Sequence, residues 1–581
     1  MYLNLLPFIG KLFGFYDPHD FKHNYEYLGK TDYLTSIPWR DPRVYAEYQW
    51  SVRQHLKRNL LGKDVNYICN EFHHPVATME SIIATFRKGD LPDHCVPKDE
   101  HYLRGLELAI ELFRPPRKLR PVHFADLREY KWNWHPNVEE PFYSDKELRT
   151  AVQDAHHAGL LSDARMSFHN LRNVVFIRVR TFLHQIKRGL ISKLSTLYPV
   201  MKIHVKPALT KIDEIKIRVI FGVSKMHVMA QAMFFWPLFR CYIEKENGFD
   251  PPILWGFETI LGGMQRLHTC MSIPRLHFET YVMVDWSGFD LRSLHSIIRN
   301  DIFPNWESYF DFMNGYIPTK LYPNSKADPI HLKRLWDWQC EASLSMPFQL
   351  PDKTTYKWRY RGIGSGLFIT QFLDSQYNLI MIFTILDAMG FNITKIVRIY
   401  VQGDDSIIML VFHIPADQHE AFKARFQELA SYYFDHVARP DKTKITNEAN
   451  GCEVLGYINQ NGYPLRDWRK LLAQLYHPRG SLSNSVLMAR CCGIQYASMY
   501  AYPEVTRTCR DIYDHLRSSG ITPADLGSQR DVILQGEAEF SIPVDHFPTE
   551  LEVTRHLRSP YHRTKDDKDY YFPSDWFIST S

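Results

Sequence analysis

The 581-residue sequence lacks most of what would place a chain outside the cell or across a membrane. Its nine cysteines are an odd number without framework spacing, which excludes a disulfide-stapled scaffold and points to free thiols in a reducing compartment. No run reaches the roughly 18 apolar residues that a bilayer-spanning helix needs. The longest, around residues 379–386, stops at Asp387 and reads as a buried helix. The apolar start, residues 1–16, is interrupted by Pro7, Gly10 and Lys11 and has no basic region before it. A short docking helix is expected there rather than a signal peptide. An excess of one charge is missing too: 69 Lys and Arg stand against 65 Asp and Glu, a formal net charge of +4. That excludes a nucleic-acid coat basic over its whole surface. It suits an enzyme with positive charge concentrated in a channel and negative charge at one site. Internal repeats and low-complexity segments are absent, and the length implies several subdomains around more than one core.

What is present is a set of strong local signals. From about residue 150 to 193 the pattern is helical, with Arg172, Arg178, Arg180, Lys187, Arg188 and Lys193 along it. Such a run is either a solvated helix face or a wall that follows an RNA backbone. The basic stretch at residues 114–120 reads as an extended loop with the same two alternatives. Residues 281–284 form a β-rich run ending at Asp285. Two β-branched runs, 397–401 and 406–412, flank Gln402-Gly403-Asp404-Asp405 and predict a hairpin. Residues 366–386 have helical character. Beyond Pro464 the chain looks mainly helical, then irregular, with a polar end near Asp566.

The chemistry lies in the carboxylates. Gly403-Asp404-Asp405 alone is weak, because Gly and Asp are common in turns. Its company raises the odds. Asp285 ends a strand, and Asp290 follows five residues later. Nucleotidyl transfer needs two divalent ions about 4 Å apart, and Mg²⁺ takes oxygen ligands while keeping several waters. A strand-end Asp285 beside a hairpin bearing Asp404 and Asp405 meets that need, although a strand-ending aspartate can also be an ordinary cap. The loop Gly362-Ile363-Gly364-Ser365-Gly366 can bring backbone amides close to a substrate. It is followed by Thr370, Asp374 and Asn378, spaced by four on one helix face. Lys206, Lys211, Lys216 and Arg218 precede the β-rich residues 219–221 and form a candidate triphosphate clamp; a lysine-rich strand edge would look the same.

These segments, in this order, resemble the viral RNA-dependent RNA polymerases, most of all those of the partitiviruses, with picobirnavirus enzymes as near relatives. Lys216-Ile217-Arg218-Val219-Ile220 resembles the basic motif for the incoming nucleotide, Asp285 with Asp290 the first palm motif, Ser365-Gly366-x3-Thr370 the second and Gly403-Asp404-Asp405 the third. Pro440-Asp441-Lys442-Thr443 resembles the lysine-bearing motif. Glu453-Val454-Leu455-Gly456-Tyr457 and Gly462-Tyr463-Pro464-Leu465-Arg466-Asp467 are similar to the primer grip and the start of the thumb. The resemblance implies an α+β fold, a closed right hand with fingers, a palm built on an antiparallel sheet, and a helical thumb. The expected divisions are residues 1–270 for the N-terminal region and fingers, 271–304 and 361–465 for the palm, 305–360 for a fingers insertion, and 466–581 for thumb and tail.

Carried over residue by residue, the resemblance makes Asp285 and Asp404 metal ligands, with Asp405 assisting. It makes Asp290 the sensor of the ribose 2′ hydroxyl, supported by Ser365, Gly366, Thr370 and Asp374. Arg218, Lys216 and Lys206 would hold the triphosphate, and Lys442 would protonate the departing pyrophosphate. Many related polymerases carry asparagine where this chain has Asp374. An ionised aspartate cannot donate to Asp290, so either a proton is shared or Asn378 supplies the donor. Mg²⁺, with Mn²⁺ as a substitute, is the implied cofactor. The implied partners are single- and double-stranded viral RNA, ribonucleoside triphosphates and a capsid protein, without a membrane, in the virion interior or host cytoplasm.

Two other classes compete. A reverse transcriptase shares the palm aspartates but places a bulky aromatic where Asp290 stands. A non-catalytic RNA-binding or capsid-associated protein explains the basic clusters, but not three aspartates on adjoining strand ends. Cys69, His73, His74, His94 and Cys95 fit no common zinc spacing, and Cys491-Cys492 reads as a buried thiol pair in a helix.

Overall fold

A computed structural model describes residues 17–35, 37, 41–191, 197–245, 248–257, 259–272, 277–395, 397–523, 543–555, 557 and 577. Fourteen strands are found among them. They are β1 (Tyr25–Lys30), β2 (Phe72–His73), β3 (Met201–Pro207), β4 (Thr210–Lys211), β5 (Ile217–Gly222), β6 (Thr280–Met283) and β7 (Phe348–Gln349). The second half of the chain adds β8 (Thr354–Trp358), β9 (Val397–Gln402), β10 (Asp405–Leu410), β11 (Lys444–Thr446), β12 (Glu453–Val454), β13 (Tyr457–Gln460) and β14 (Tyr463–Leu465).

The palm is a four-stranded antiparallel sheet in the order β11-β6-β10-β9. Side chains alternate across its strands. Val282, Ile399, Val401, Ile408 and Leu410 face the main core, whereas Tyr281, Met283, Tyr400, Ile407 and Met409 face a second core with Leu254, Phe257, Leu267 and Val454. Both faces are covered, so β10 reads as a nearly continuous apolar run after Asp405. On the main-core side lies the helix Thr370–Ala388, buried over almost its whole length. That accounts for its largely apolar character beyond Asn378.

The fingers carry a five-stranded sheet, β1-β8-β7-β3-β5, in which only β3 and β7 run parallel. Lys206 on β3 stands directly opposite Arg218 on β5. The small sheet β12-β13-β14 leads into the thumb helices Trp468–Tyr476, Asn484–Ser498 and Pro503–Ser518. Their core also takes in Val52, Leu56, Val65 and Ile68 from the helices Pro42–Asn59 and Gly62–Asn70. The N-terminal region therefore closes onto the thumb. Tyr48 donates to the Leu475 carbonyl (2.9 Å), Arg469 to Asp64 (2.8 Å), and His55 meets Asp511 at 2.8 Å.

Several expectations shift in detail. The helical run near residues 150–193 is two helices, Lys146–His157 and Arg172–Arg188, separated by a loop in which the Asn170 amide donates to Asp163 and Arg165. The docking helix expected at residues 1–16, Lys193 and the polar end near Asp566 lie outside the described residues. The histidines of the cysteine–histidine group are dispersed: His73 bonds the Glu214 carbonyl, His74 that of His477 and His94 that of Tyr433. Cys491 and Cys492 are buried thiols in a thumb helix. No helix among the described residues is long and apolar enough to cross a membrane.

Candidate active site

The palm sheet brings together residues more than a hundred positions apart. β6 ends at Met283, so Asp285 leaves the sheet two residues later; its carbonyl accepts from the Arg439 amide (2.8 Å), and the Thr443 hydroxyl lies 3.3 Å from its own amide. β9 and β10 pair from Gln402 against Asp405, leaving Gly403-Asp404 as a two-residue loop. Gly403 has φ +63°, as required at the first central position of a hairpin turn favoured by the strand twist. Asp404 therefore sits at the tip, and Asp405 opens β10 beside it.

Two side chains from the helix Thr370–Ala388 hold that tip. Ser375 Oγ accepts from the Gly403 amide (2.8 Å). Asn378 Nδ2 donates to the carbonyls of Gly403 (3.0 Å) and Asp404 (3.1 Å), while its Oδ1 accepts from Trp286 Nε1 (3.0 Å). Asn378 is fully buried, and its amide is committed to the turn. Of the two ways to pair Asp374 with Asp290, the shared proton is thus favoured over an asparagine donor. Asp374 is buried, with one carboxyl oxygen lacking a partner. Burial, then repulsion from Asp290 and Asp404, push its carboxyl far above the usual range, with its contact to Asp290 adding to the rise. Asp290 itself is raised to about 7 by burial and the charge of Asp404, offset by Asp374 and Arg218.

The remaining carboxylates respond in the same way. Burial raises Asp404; Asp285 adds repulsion, while its own backbone amide, Arg218 and Lys216 oppose the rise. Asp405 is raised to about 7 by burial and by Asp404, Glu453 and Asp285. Negative charge is therefore packed beyond what the site holds comfortably. Arg218 and Lys216 of the fingers provide the facing positive charge. Arg439 pairs with Asp285, its Nε 2.7 Å from Oδ1. Lys216 is lowered by burial and by Arg218, Arg439 and Lys442, which places four cations near one another. Lys206 is lowered by burial and by Arg479 and Arg218, extending the strip toward the thumb.

The second palm motif is tied to the fingers sheet. The Ser365 carbonyl accepts from the Phe221 amide (2.8 Å), tying the loop to β5. Gly366 has φ +148°, and a Cβ there would collide with the Phe221 carbonyl, so only glycine fits. Thr370 Oγ1 donates to the Gly364 carbonyl (2.7 Å) and shapes this loop. Lys442 stands exposed at the rim. Arg439, Ser375 and Trp286 join the site through contacts that no sequence motif marked. Ser375 was legible in principle, since a residue three before Asn378 shares its face. Arg439 adjoined a motif that had been read for its lysine.

The family model for viral RNA-dependent RNA polymerases matches residues 189–516, more than half of the chain. This chain belongs to that family. The polymerase is 32% identical to the RNA-directed RNA polymerase of White clover cryptic virus 1, over 96% of each chain. It is 24% identical to that of Atkinsonella hypoxylon virus, covering 79% of this chain and 74% of the relative. It is thus a partitivirus-like RNA-directed RNA polymerase. A Sicinivirus 3Dpol RNA-dependent RNA polymerase structure is similar in fold, with a TM-score of 0.57 and 13% identity over 88% of this chain and 100% of that one.

Proposed function

We propose that this polymerase transfers ribonucleotides to an RNA 3′ end by two-metal chemistry centred on Asp285, Asp404 and Asp405. The observation that carries the reading is the convergence of Asp404, Asp405 and Asp285 from two sheet elements, with mutual repulsion raising the first two. The donor set is all oxygen, which suits Mg²⁺ or Mn²⁺. Arg439 against Asp285 supports a position that accepts a cation. Among the described residues no three His, Cys, Asp or Glu side chains are arranged to hold a metal ion, so the aspartates would have to draw together around the ions. When bound, the ions would activate the 3′ hydroxyl and stabilise the leaving oxygen.

The chain's own residues do the rest. Arg218, Lys216 and Lys206 hold the triphosphate with charge that opposes the aspartates across the site. Asp290 accepts from the ribose 2′ hydroxyl, oriented by the proton on Asp374. Ser375 and Asn378 keep Asp404 at the hairpin tip. Ser365, Gly366 and Thr370 hold the second motif against β5, and Lys442 supplies a proton to the departing pyrophosphate from the rim. The biological setting that follows is replication and transcription of a double-stranded RNA genome, with a capsid-protein partner, in the virion interior or host cytoplasm.

The test is incorporation of labelled ribonucleotides on single-stranded RNA with Mg²⁺ or Mn²⁺. Asp404→Ala should lower the rate by at least about three powers of ten while RNA binding persists. Near-wild-type synthesis by the variant would remove Asp404 from the chemistry.

A further inference from the structure

Asp285 already holds a cation from the chain itself. Arg439 reaches it with two guanidinium nitrogens, Nε (2.7 Å) and Nη2, and both donate to the same oxygen, Oδ1. The pairing extends to the backbone. The Arg439 amide donates to the Asp285 carbonyl (2.8 Å), and the Asp285 amide donates to the Thr443 hydroxyl (3.3 Å). One residue on, Trp286 bridges Ala438, and the Ser287 amide donates to the Val437 carbonyl (2.8 Å). Residues 285–287 therefore run against 437–439 as a short antiparallel pair.

The same segment carries Lys442. The Arg439 carbonyl accepts from the amides of Lys442 (3.1 Å) and Thr443 (2.8 Å), closing a tight turn. A single arginine thus joins a proposed metal ligand to the proposed proton donor. The ion pair itself is open: the Arg439 side chain is 31% exposed and that of Asp285 39%. Pairs this exposed are weak, whereas a buried pair would lock the carboxylate. A guanidinium keeps its charge at every working pH, so it leaves Asp285 only in exchange for another cation. The charge of Asp285 adds to the repulsion on Asp404 and Asp405. A divalent ion shared by these carboxylates relieves that repulsion, which Arg439, engaged at one oxygen of Asp285, does not.

We propose that Arg439 is an exchangeable counter-ion for Asp285, a positioning residue that a divalent cation must displace, and that its release loosens the turn carrying Lys442. Metal loading and the placement of Lys442 are then two results of one exchange. Among the described residues no three carboxylates are yet arranged around a metal ion, so release from Arg439 is also what lets Asp285 move toward Asp404. The inference rests on the reading of Asp285 and Asp404 as metal ligands. Its tests read binding and backbone exchange rather than synthesis, and Asp404→Ala separates failure of the one from failure of the other.

Mn²⁺ binding to the full-length protein, without nucleotide, is followed by electron paramagnetic resonance. Arg439→Gln should tighten binding about 2- to 5-fold, the effect of removing a competing ion pair of this exposure. Arg439→Met, which keeps the apolar stem, should do the same, and Arg439→Lys, which keeps the charge, should stay near the wild type. Arg425→Gln removes the same charge from a surface pair with Glu428 and should leave affinity unchanged. Looser or unaltered binding in both neutral variants would overturn the exchange, as would an equal gain in Arg425→Gln. In the wild type alone, Mn²⁺ should speed hydrogen exchange at the amides of Arg439, Lys442 and Thr443. Unchanged or slower exchange there would overturn the link to Lys442. Mn²⁺ binding that survives undiminished in Asp404→Ala would instead overturn the metal reading on which this inference rests.

Discussion

Asp374 shows how one side chain can serve function at the expense of stability. Its carboxyl is raised by burial and by two neighbouring aspartates. A carboxyl raised in the folded state contributes stability below the unfolded value near 3.8, and this is lost as pH rises toward the folded value. At pH 8 the folded protein must therefore either keep a proton on Asp374 or bury a charge. Asp374→Asn removes that cost and retains a donor toward Asp290. We expect it to raise Tm by a few degrees at pH 8, with the gain shrinking as pH falls toward 4, and to preserve the preference for ribonucleotides. Melting curves across pH, with competition between ribo- and deoxyribonucleoside triphosphates, check both parts. A lower Tm at pH 8 would contradict the buried proton. The aspartates themselves were legible in the sequence because a strand end and a turn place them. The partner of Asp290 was not, because Asp374 and Asn378 lie on one helical stripe, and only the approach of the hairpin shows which of them is occupied.

The hairpin β9–β10 and the helix Thr370–Ala388 work as one element. Sequence periodicity located both, since the strands alternate around a turn and the helix is long and apolar. Their joint function depends on Ser375 and Asn378 reaching the turn, a contact across 25 residues or more. Asn378→Ala leaves Trp286 Nε1 and two turn carbonyls without their partner. The expected cost is about 2–4 kcal/mol of stability. A misplaced Asp404 should also slow incorporation by roughly 10–100-fold, with triphosphate KM little changed. Denaturant unfolding and steady-state kinetics measure the two effects, and a rise in KM alone would assign Asn378 to nucleotide binding. The basic helix Arg172–Arg188 divides at the same scale: Arg172 lies over Trp134 (4.5 Å), Arg178 donates to Asp145 (2.6 Å), and Lys187 is buried with its ammonium on the Tyr316 hydroxyl (2.7 Å).

Across the whole molecule, closure is carried by a core that mixes the two ends of the chain. Leu56 is fully buried in the cluster that includes Leu472, Leu475 and Ile512. Leu56→Ala should cost about 2–5 kcal/mol and loosen the N-terminal helices from the thumb. Limited proteolysis would detect the loosening as cleavage within residues 42–74, and unaltered cleavage would argue against a shared core. The C-terminal part also returns to the fingers: Phe577 is buried with its ring against Trp236 (5.1 Å) and beneath Arg240 (4.8 Å). Each of these cores therefore draws on segments far apart in the sequence. Strands, turn, helices and the ordered carboxylate motifs follow from local pattern, because alternation, helical period and turn chemistry act over a few residues. The Arg439–Asp285 pair, the clamp on the Asp404 turn, the N-terminal helices in the thumb core and the burial of Lys187 against Tyr316 arise only in three dimensions. They depend on which distant surfaces pack together, and no local pattern encodes the charge or shape of a partner hundreds of residues away.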